Sequence, residues 1–168
     1  MAQLLSPTET LLTLLPALIA NGSPVLLRGR GHPIDCGRSF VDGRPLLGKG
    51  KTFEGLIIGM LYGSTIAYLL AAAISQAHVF VAGSIAAIGA LLGDIVGAFI
   101  KRRIGLERGA PAPVLDQLDF VAGAVLATTA AGYLLEPATT LLLAIIVPIL
   151  HRTTNIAAYR LGLKNVPW

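Results

Sequence analysis

Charge is scarce in this chain. Asp, Glu, Lys and Arg make up 13% of its 168 residues, roughly half the ~25% of an ordinary soluble domain. Hydrophobic residues make up 54%. Too little polar surface remains to keep a fold of this size in water, so the composition predicts an integral membrane protein. Cysteine is nearly absent as well. Cys36 stands alone, which excludes an internal disulfide framework and leaves a bystander thiol as the simplest reading. Amides are few, three Asn and three Gln, a usage that suits a thermophile. No cleavable leader is expected either: the first apolar run follows Thr8-Glu9 rather than a basic segment, so it is expected to stay as a membrane helix.

A nucleotide-binding P-loop is missing too, although one stretch imitates it. Gly43 to Lys49 fits the first seven positions of G-x-x-x-x-G-K-[ST], but Gly50 stands where Ser or Thr is needed. Shifting the frame to Lys51-Thr52 puts Pro45 where the first glycine belongs, and no βαβ context surrounds it. The lysines of this stretch need another explanation.

What the chain has is long apolar runs. A membrane helix needs ~20 mostly apolar residues, and five runs qualify: about Thr10–Leu27, Phe53–Ser75, His78–Ile100, Leu118–Leu135, and Pro137 to at least Leu150 and on toward Tyr159. The fold class is therefore all-α, a polytopic membrane protein with five transmembrane helices, forming a single integral membrane domain over 1–168. The links at 76–77 and 136–137 are tight; those at about 28–52 and 101–117 are long. All 13 Lys and Arg residues fall in the two long loops or at the C-terminal end. Five spans place these three segments on one face, which the positive-inside rule makes cytoplasmic, with the N-terminus outside. Four or six spans would spoil the partition. The setting is the cell membrane, and chemistry belongs to the cytoplasmic face.

Two glycine seams, Gly55/Gly59/Gly63 and Gly89/Gly93/Gly97, let helix backbones approach closely. They predict tight packing of these spans, with each other or across a homodimer.

Ionisable groups inside membrane spans are costly and point to function. Asp94 lies seven residues before Lys101, on the same helix face; its carboxylate needs a lysine or a metal beside it. Asp116 and Asp119, three apart, aim the same way from the start of a helix. They suit the helix dipole, and equally the oxygen ligation of magnesium, which takes one or two carboxylates plus substrate phosphates. His151 and Asn155, four apart, follow Pro148, which frees the carbonyl of Ala144 and bends the helix. Asn21 lies late in the first span. All six fall in the cytoplasmic halves of their spans. The convergence predicts a polar cavity rich in carboxylates and ringed by Lys and Arg, the groups that phosphoryl and nucleotidyl transfer require. The rival readings are a small transporter or ion channel with an intramembrane carboxylate site, and a structural subunit. The first lacks an ionisable path through the outward half and an inverted repeat; the second leaves the clustered Asp residues unexplained.

These residues also resemble a known family. The run AFIKRRIGLERGAPAPVLDQLDF is similar to the signature of CDP-diacylglycerol synthases, with Lys101-Arg102 followed by the Asp116/Asp119 pair and Ala98 in place of the usual Ser. The shorter archaeal branch, the CDP-archaeol synthases, resembles the chain along most of its length. The shared blocks are Ala20-Asn21-Gly22, His32 to Gly37, Gly48 to Gly55, Leu92 to Asp94 and Leu115 to Asp119. The resemblance implies magnesium-dependent transfer of CMP from CTP to the phosphate of unsaturated archaetidic acid, an isoprenoid ether lipid, giving CDP-archaeol and pyrophosphate. It implies Asp116 and Asp119 as magnesium ligands with Asp94 as a third carboxylate, and Lys101 and Arg102 on CTP phosphates. Asn21 and Asn155 would read cytosine or ribose, and His151 would contact a phosphate. Lys49 and Lys51 are expected either to touch CTP or the lipid phosphate, or to sit as positive-inside residues near anionic membrane lipid. Thr52 is the expected N-cap of the second span, and the loop 29–47 is expected either to be mobile or to close over substrate. No nucleic-acid partner is expected.

Overall fold

The computed structural model describes residues 2–107, 109–112, 114–164 and 166–167; Arg108, one of the predicted loop cations, lies outside them. The chain forms β1 (Gln3–Leu4), α1 (Pro7–Gly22), a 3-10 turn (Ser23–Leu27), α2 (Phe53–Ala73), α3 (Ala77–Arg103), α4 (Leu115–Ala130), β2 (Tyr133–Leu134) and α5 (Pro137–Arg160).

Each helix starts where local chemistry dictates. Ser6 and Glu9 form a reciprocal capping box on α1, with Pro7 in the first turn. Thr52 caps α2 by accepting the Gly55 N–H at 3.1 Å, as the sequence predicts. Glu136 caps α5 through its carboxylate, which accepts the N–H groups of Ala138 and Thr139 at 3.0 and 2.7 Å.

Four helical stretches are long and apolar enough to cross a membrane: Pro7–Leu27, Phe53–Ala73, Ala77–Arg103 and Pro137–Arg160. The expected fourth span is the exception. α4 starts three residues earlier than predicted and holds 16 residues, about 24 Å at 1.5 Å per residue, short of a ~30 Å hydrocarbon layer. Its apolar run continues in sequence, but the backbone turns at Gly132 (φ 86°), and Tyr133–Leu134 pair in parallel with Gln3–Leu4.

That pairing joins the start of α1 to the α4–α5 link. Two side-chain contacts complete this end: Thr10 Oγ1 accepts the Glu136 N–H at 2.9 Å, and Glu9 Oε1 lies 2.7 Å from His78 Nε2 at the start of α3. The N-terminal segment and both tight links therefore share one end. The two long loops and the end of α5 share the other.

α3 is the central helix, packed on α1, α2 and α4, while α5 lies against α1 and α4. Small residues make this possible, Ala82, Ala86, Ala87 and Ala90 being fully buried. The two glycine seams do not meet each other. A methyl at Gly59 or Gly63 would strike Leu91 or Ala87 of α3 and the Ala20 and Pro16 carbonyls of α1, whereas the Gly89/Gly93/Gly97 seam receives α4 at Asp119, Gly123 and Ala127. Both seams thus pack within one chain. Large apolar side chains such as Ile57, Leu61 and Leu69 of α2 and Leu141, Ile145 and Ile149 of α5 point outward, where a membrane-spanning fold meets lipid.

Candidate functional site

The polar end is assembled by two lysine–carboxylate pairs that each join separate elements. Lys51, just ahead of α2, donates to Asp94 of α3. Lys101, at the end of α3, lies 2.5 Å from Asp116 Oδ1 at the start of α4. Asp94 and Lys101 share a helix but each takes a partner from elsewhere. The cation predicted beside Asp94 is therefore a loop residue more than forty positions away in sequence, held by the Ile34 N–H donating to the Lys51 carbonyl at 2.9 Å. Asp116 is fixed further by the Ala112 N–H, which donates to Oδ2 at 2.9 Å.

Asp119 is seated differently. Its carboxylate and carbonyl fill the space left by Gly97 and Gly93, where any methyl group would overlap them. Oδ1 accepts the Phe120 N–H at 2.7 Å. Oδ2 is buried with no hydrogen-bond partner among the described atoms, a costly state for a carboxylate oxygen. Gly93 and Gly97 thus do more than pack helices: they bring a carboxylate of α4 against the helix that carries Asp94.

Between these elements lies a cavity of about 1310 Å³. Asn21, Lys51, Asp94, Lys101, Asp116, His151 and Asn155 all line it, so five of the six polar residues expected to converge share this space and Asp119 does not. His151 and Asn155 face each other with Nδ1 and Nδ2 3.4 Å apart, and the His151 ring lies 6.3 Å from that of Phe120. α5 runs through Pro148 as one helix. Three expected site residues are not among those lining the cavity. Lys49 is exposed on the loop. Arg102 is buried beneath the loop, near Gly48. Asp119 sits in its glycine seat, close enough to Asp94, Lys51 and Lys101 to feel their charges.

The loop over 28–52 is tied down at many points. Asp35 is 5% exposed and accepts three backbone N–H groups, from Gly37 at 3.0 Å, Leu47 at 3.0 Å and Gly48 at 2.8 Å. Burial pushes its carboxyl up, but these donations outweigh burial and hold it below the usual Asp range. Arg103 lies over the rings of Phe40 and Phe99 at 4.8 and 4.9 Å and donates to Asp42 at 2.8 Å and to the Pro45 carbonyl at 2.5 Å. Arg44 returns the contact by donating to the carbonyls of Arg103 and Arg102 at the end of α3, where a cation suits the helix dipole. Sequence reasoning assigned no role to Asp35, Arg44 or Arg103. The Asp35-x-Gly37 turn, whose carboxylate accepts an N–H two residues on, was the available signal for the first. The other two act over about sixty residues and leave no local trace.

The donor set suits a hard cation. Asp94, Asp116 and Asp119 offer carboxylate oxygens, and the orphaned Oδ2 of Asp119 is the group that such an ion would satisfy. Among the described residues no three His, Cys, Asp or Glu side chains are already grouped as a cage.

Comparison with known proteins points to one enzyme family. The model of a family described as CarS-like, CDP-archaeol synthase, matches residues 1–168. A protein of Hyperthermus butylicus named CDP-archaeol synthase is 62% identical over 168 residues, covering 100% of both chains. One of the same name from Aeropyrum pernix is 49% identical over 160 residues, covering 95% of this chain and 91% of that one. A solved structure of an intramembrane enzyme for archaeal membrane lipid biosynthesis superposes with a TM-score of 0.82 at 45% identity, covering 90% of this chain and 95% of the other.

Proposed function

The chain belongs to the CarS-like CDP-archaeol synthase family, and from that premise we propose that it is a multi-pass membrane cytidylyltransferase. It moves CMP from CTP to the phosphate of unsaturated archaetidic acid, giving CDP-archaeol and pyrophosphate. The observation that carries this reading is the cavity itself: two carboxylates, three lysines, His151 and two Asn side chains converge on one space at one end of an otherwise apolar bundle.

The chemistry asks little of a general base. A phosphate monoester is already ionised at neutral pH, so an oxygen of the lipid phosphate attacks the α-phosphorus of CTP directly. The α–β bridging bond breaks, and its electrons leave with pyrophosphate. Catalysis is then mainly positioning and charge neutralisation. Lys101 and Lys51, held at the rim by Asp116 and Asp94, are placed to bind phosphate oxygens. Asn21 and Asn155 supply the donors and acceptors that read cytosine or ribose, and His151 contacts a phosphate. Arg102 acts from beneath the loop, and exposed Lys49 draws anions toward the rim. Asp116 and Asp119, with Asp94 as a third carboxylate, would hold magnesium, which when bound neutralises the triphosphate and the leaving pyrophosphate. The isoprenoid tails stay in the bilayer against the apolar helix faces while the head group reaches the cavity. The whole chain works as one membrane unit, with this end toward the cytoplasm, where CTP and the Lys/Arg-rich loops lie.

The test is incorporation of labelled CTP into a chloroform-soluble product by purified protein, given digeranylgeranylglyceryl phosphate and magnesium. Label in the lipid phase, absent without magnesium and with Asp119→Asn, is expected. No label from well-folded protein, with diacyl phosphatidic acid also inert, would discard the reading.

A further inference from the structure

Part of the long loop packs on the lipid-facing side of the bundle rather than on the cavity. Residues 38–46 form a hairpin: the Phe40 N–H donates to the Arg44 carbonyl at 2.8 Å, the Leu46 N–H donates to the Arg38 carbonyl at 2.9 Å, and Ser39 bridges Pro45. Gly43 takes the left-handed conformation (φ 77°) that such a three-residue tip needs. Polar residues usually fill a turn in water, yet here the tip begins with an apolar pair. Val41 is 93% exposed, and Phe40 beside it is exposed too.

α3 sets the place of this hairpin. Ile88, Leu92, Val96 and Ile100 of α3 and Ile104 at its cap recur every four residues and all point outward. They form one stripe facing lipid. Phe99 adjoins the stripe, roughly 6 Å short of the helix end. The Phe40 ring meets the Phe99 ring edge-on, with centroids 5.4 Å apart, and the Arg103 guanidinium covers both. Arg44 grips the same helix end through its carbonyls.

We propose that the 38–46 hairpin is a membrane-surface anchor, with Phe40 and Val41 entering the headgroup region and Arg38, Arg44 and Arg103 level with the lipid phosphates. The proposal rests on the reading of α3 as a membrane span and on no feature of the cavity. A single exposed apolar residue needs no explanation, but this pair continues a stripe that already meets lipid. Arginines set around an apolar body are the arrangement that suits a membrane boundary. Three arginines stand here against one carboxylate, Asp42, so an anionic surface is favoured. An anchored hairpin fixes the loop that leads to Lys51 from the membrane side, as Asp35 fixes it from within.

Spin labelling of the full chain in vesicles tests this. Val41→Cys in a Cys36→Ser background carries a nitroxide, and its collisions with oxygen, which concentrates in lipid, are compared with those of a neutral nickel chelate, which stays in water. Val96→Cys on the stripe is the reference inside the bilayer. In vesicles of phosphatidylcholine and phosphatidylglycerol, the oxygen-to-nickel ratio at residue 41 should rise several-fold above that of the free nitroxide in water, toward that at residue 96. A ratio equal to the free nitroxide's, with residue 96 immersed, overturns the proposal. A label at residue 96 that is also in water discards the spanning reading of α3 and the proposal with it. Without phosphatidylglycerol the ratio at residue 41 should fall; no change overturns the part given to the arginines. Val41→Trp in a Trp168→Phe background guards against a label that disturbs the tip. Its fluorescence should be quenched by brominated lipid chains, and no quenching overturns the proposal equally.

Discussion

The two ends of the helix bundle handle the same kinds of residue in opposite ways. At the end that carries the tight links, the ionisable contacts among the described residues serve helix termini. Glu9 closes the capping box of α1 and meets His78, and Glu136 caps α5 while its N–H is held by Thr10. At the other end the charged groups bridge elements distant in sequence, Lys51 to Asp94 and Lys101 to Asp116, and enclose a cavity. One end uses polarity to finish helices; the other gathers it around space. Asp119 sharpens the contrast, since its Oδ2 has no partner among the described atoms. A protein built for stability alone would not bury such an oxygen, so the polar end carries a stability cost that points to a ligand.

The largest expected effect comes from removing that buried charge. Asp119→Asn should lower CMP transfer by about 100-fold or more while leaving the melting temperature unchanged or raised, because an amide is cheaper to bury than an unpartnered carboxylate. A loss of both activity and stability would instead make Asp119 a structural residue. Next is Gly93→Ala. Its methyl group would overlap the Asp119 carbonyl, forcing α3 and α4 apart, at about 1–3 kcal/mol of stability. Thermal unfolding in detergent checks this, and transfer should fall with it because the seat of Asp119 moves.

A smaller effect is expected in the loop. Asp35→Asn keeps the shape but weakens three charge-assisted hydrogen bonds, so amide exchange over 33–52 should quicken and transfer should drop as Lys51 loses its register. The pH dependence has a definite sign. The Asp35 carboxyl is held below its unfolded value of ~3.9, so its contribution to stability is present above that pH and is lost as pH falls through the folded value. Acid loosening of the loop should therefore appear below about pH 4 in the wild type and be missing in Asp35→Asn. The smallest effect belongs to the opposite end. Glu9→Gln retains a side chain able to complete the capping box and replaces one partly exposed carboxylate–imidazole contact, so stability should change by about 1 kcal/mol or less with transfer unaltered. A large activity loss there would erase the distinction between the ends.

Much of this was legible in the sequence because the governing forces are local or compositional. Apolar run length placed α2, α3 and α5 within a few residues, and the clustering of Lys and Arg separated the two ends before any contact was known. The site carboxylates stood out because charge is so rare in apolar runs. What failed to show was pairing over distance. The spacing of Asp94 and Lys101 suggested a common face but not that each would find its partner on another element. Nor could the apolar run through Leu135 reveal that α4 stops at Ala130, since Gly132 turns the chain for the sake of pairing with Gln3–Leu4. The glycine seams announced close packing without naming their partners. The burial of Asp35 leaves no mark in the sequence because it depends on Leu47 and Gly48, which reach it only once the loop is folded.

The central claim is that the polar end transfers CMP to a lipid phosphate, and it is tested most directly by following two labels on CTP. With digeranylgeranylglyceryl phosphate and magnesium, label on the α-phosphorus should enter the lipid while label on the γ-phosphorus leaves as pyrophosphate. Label from the γ-phosphorus in the lipid, or from neither position, would contradict the account.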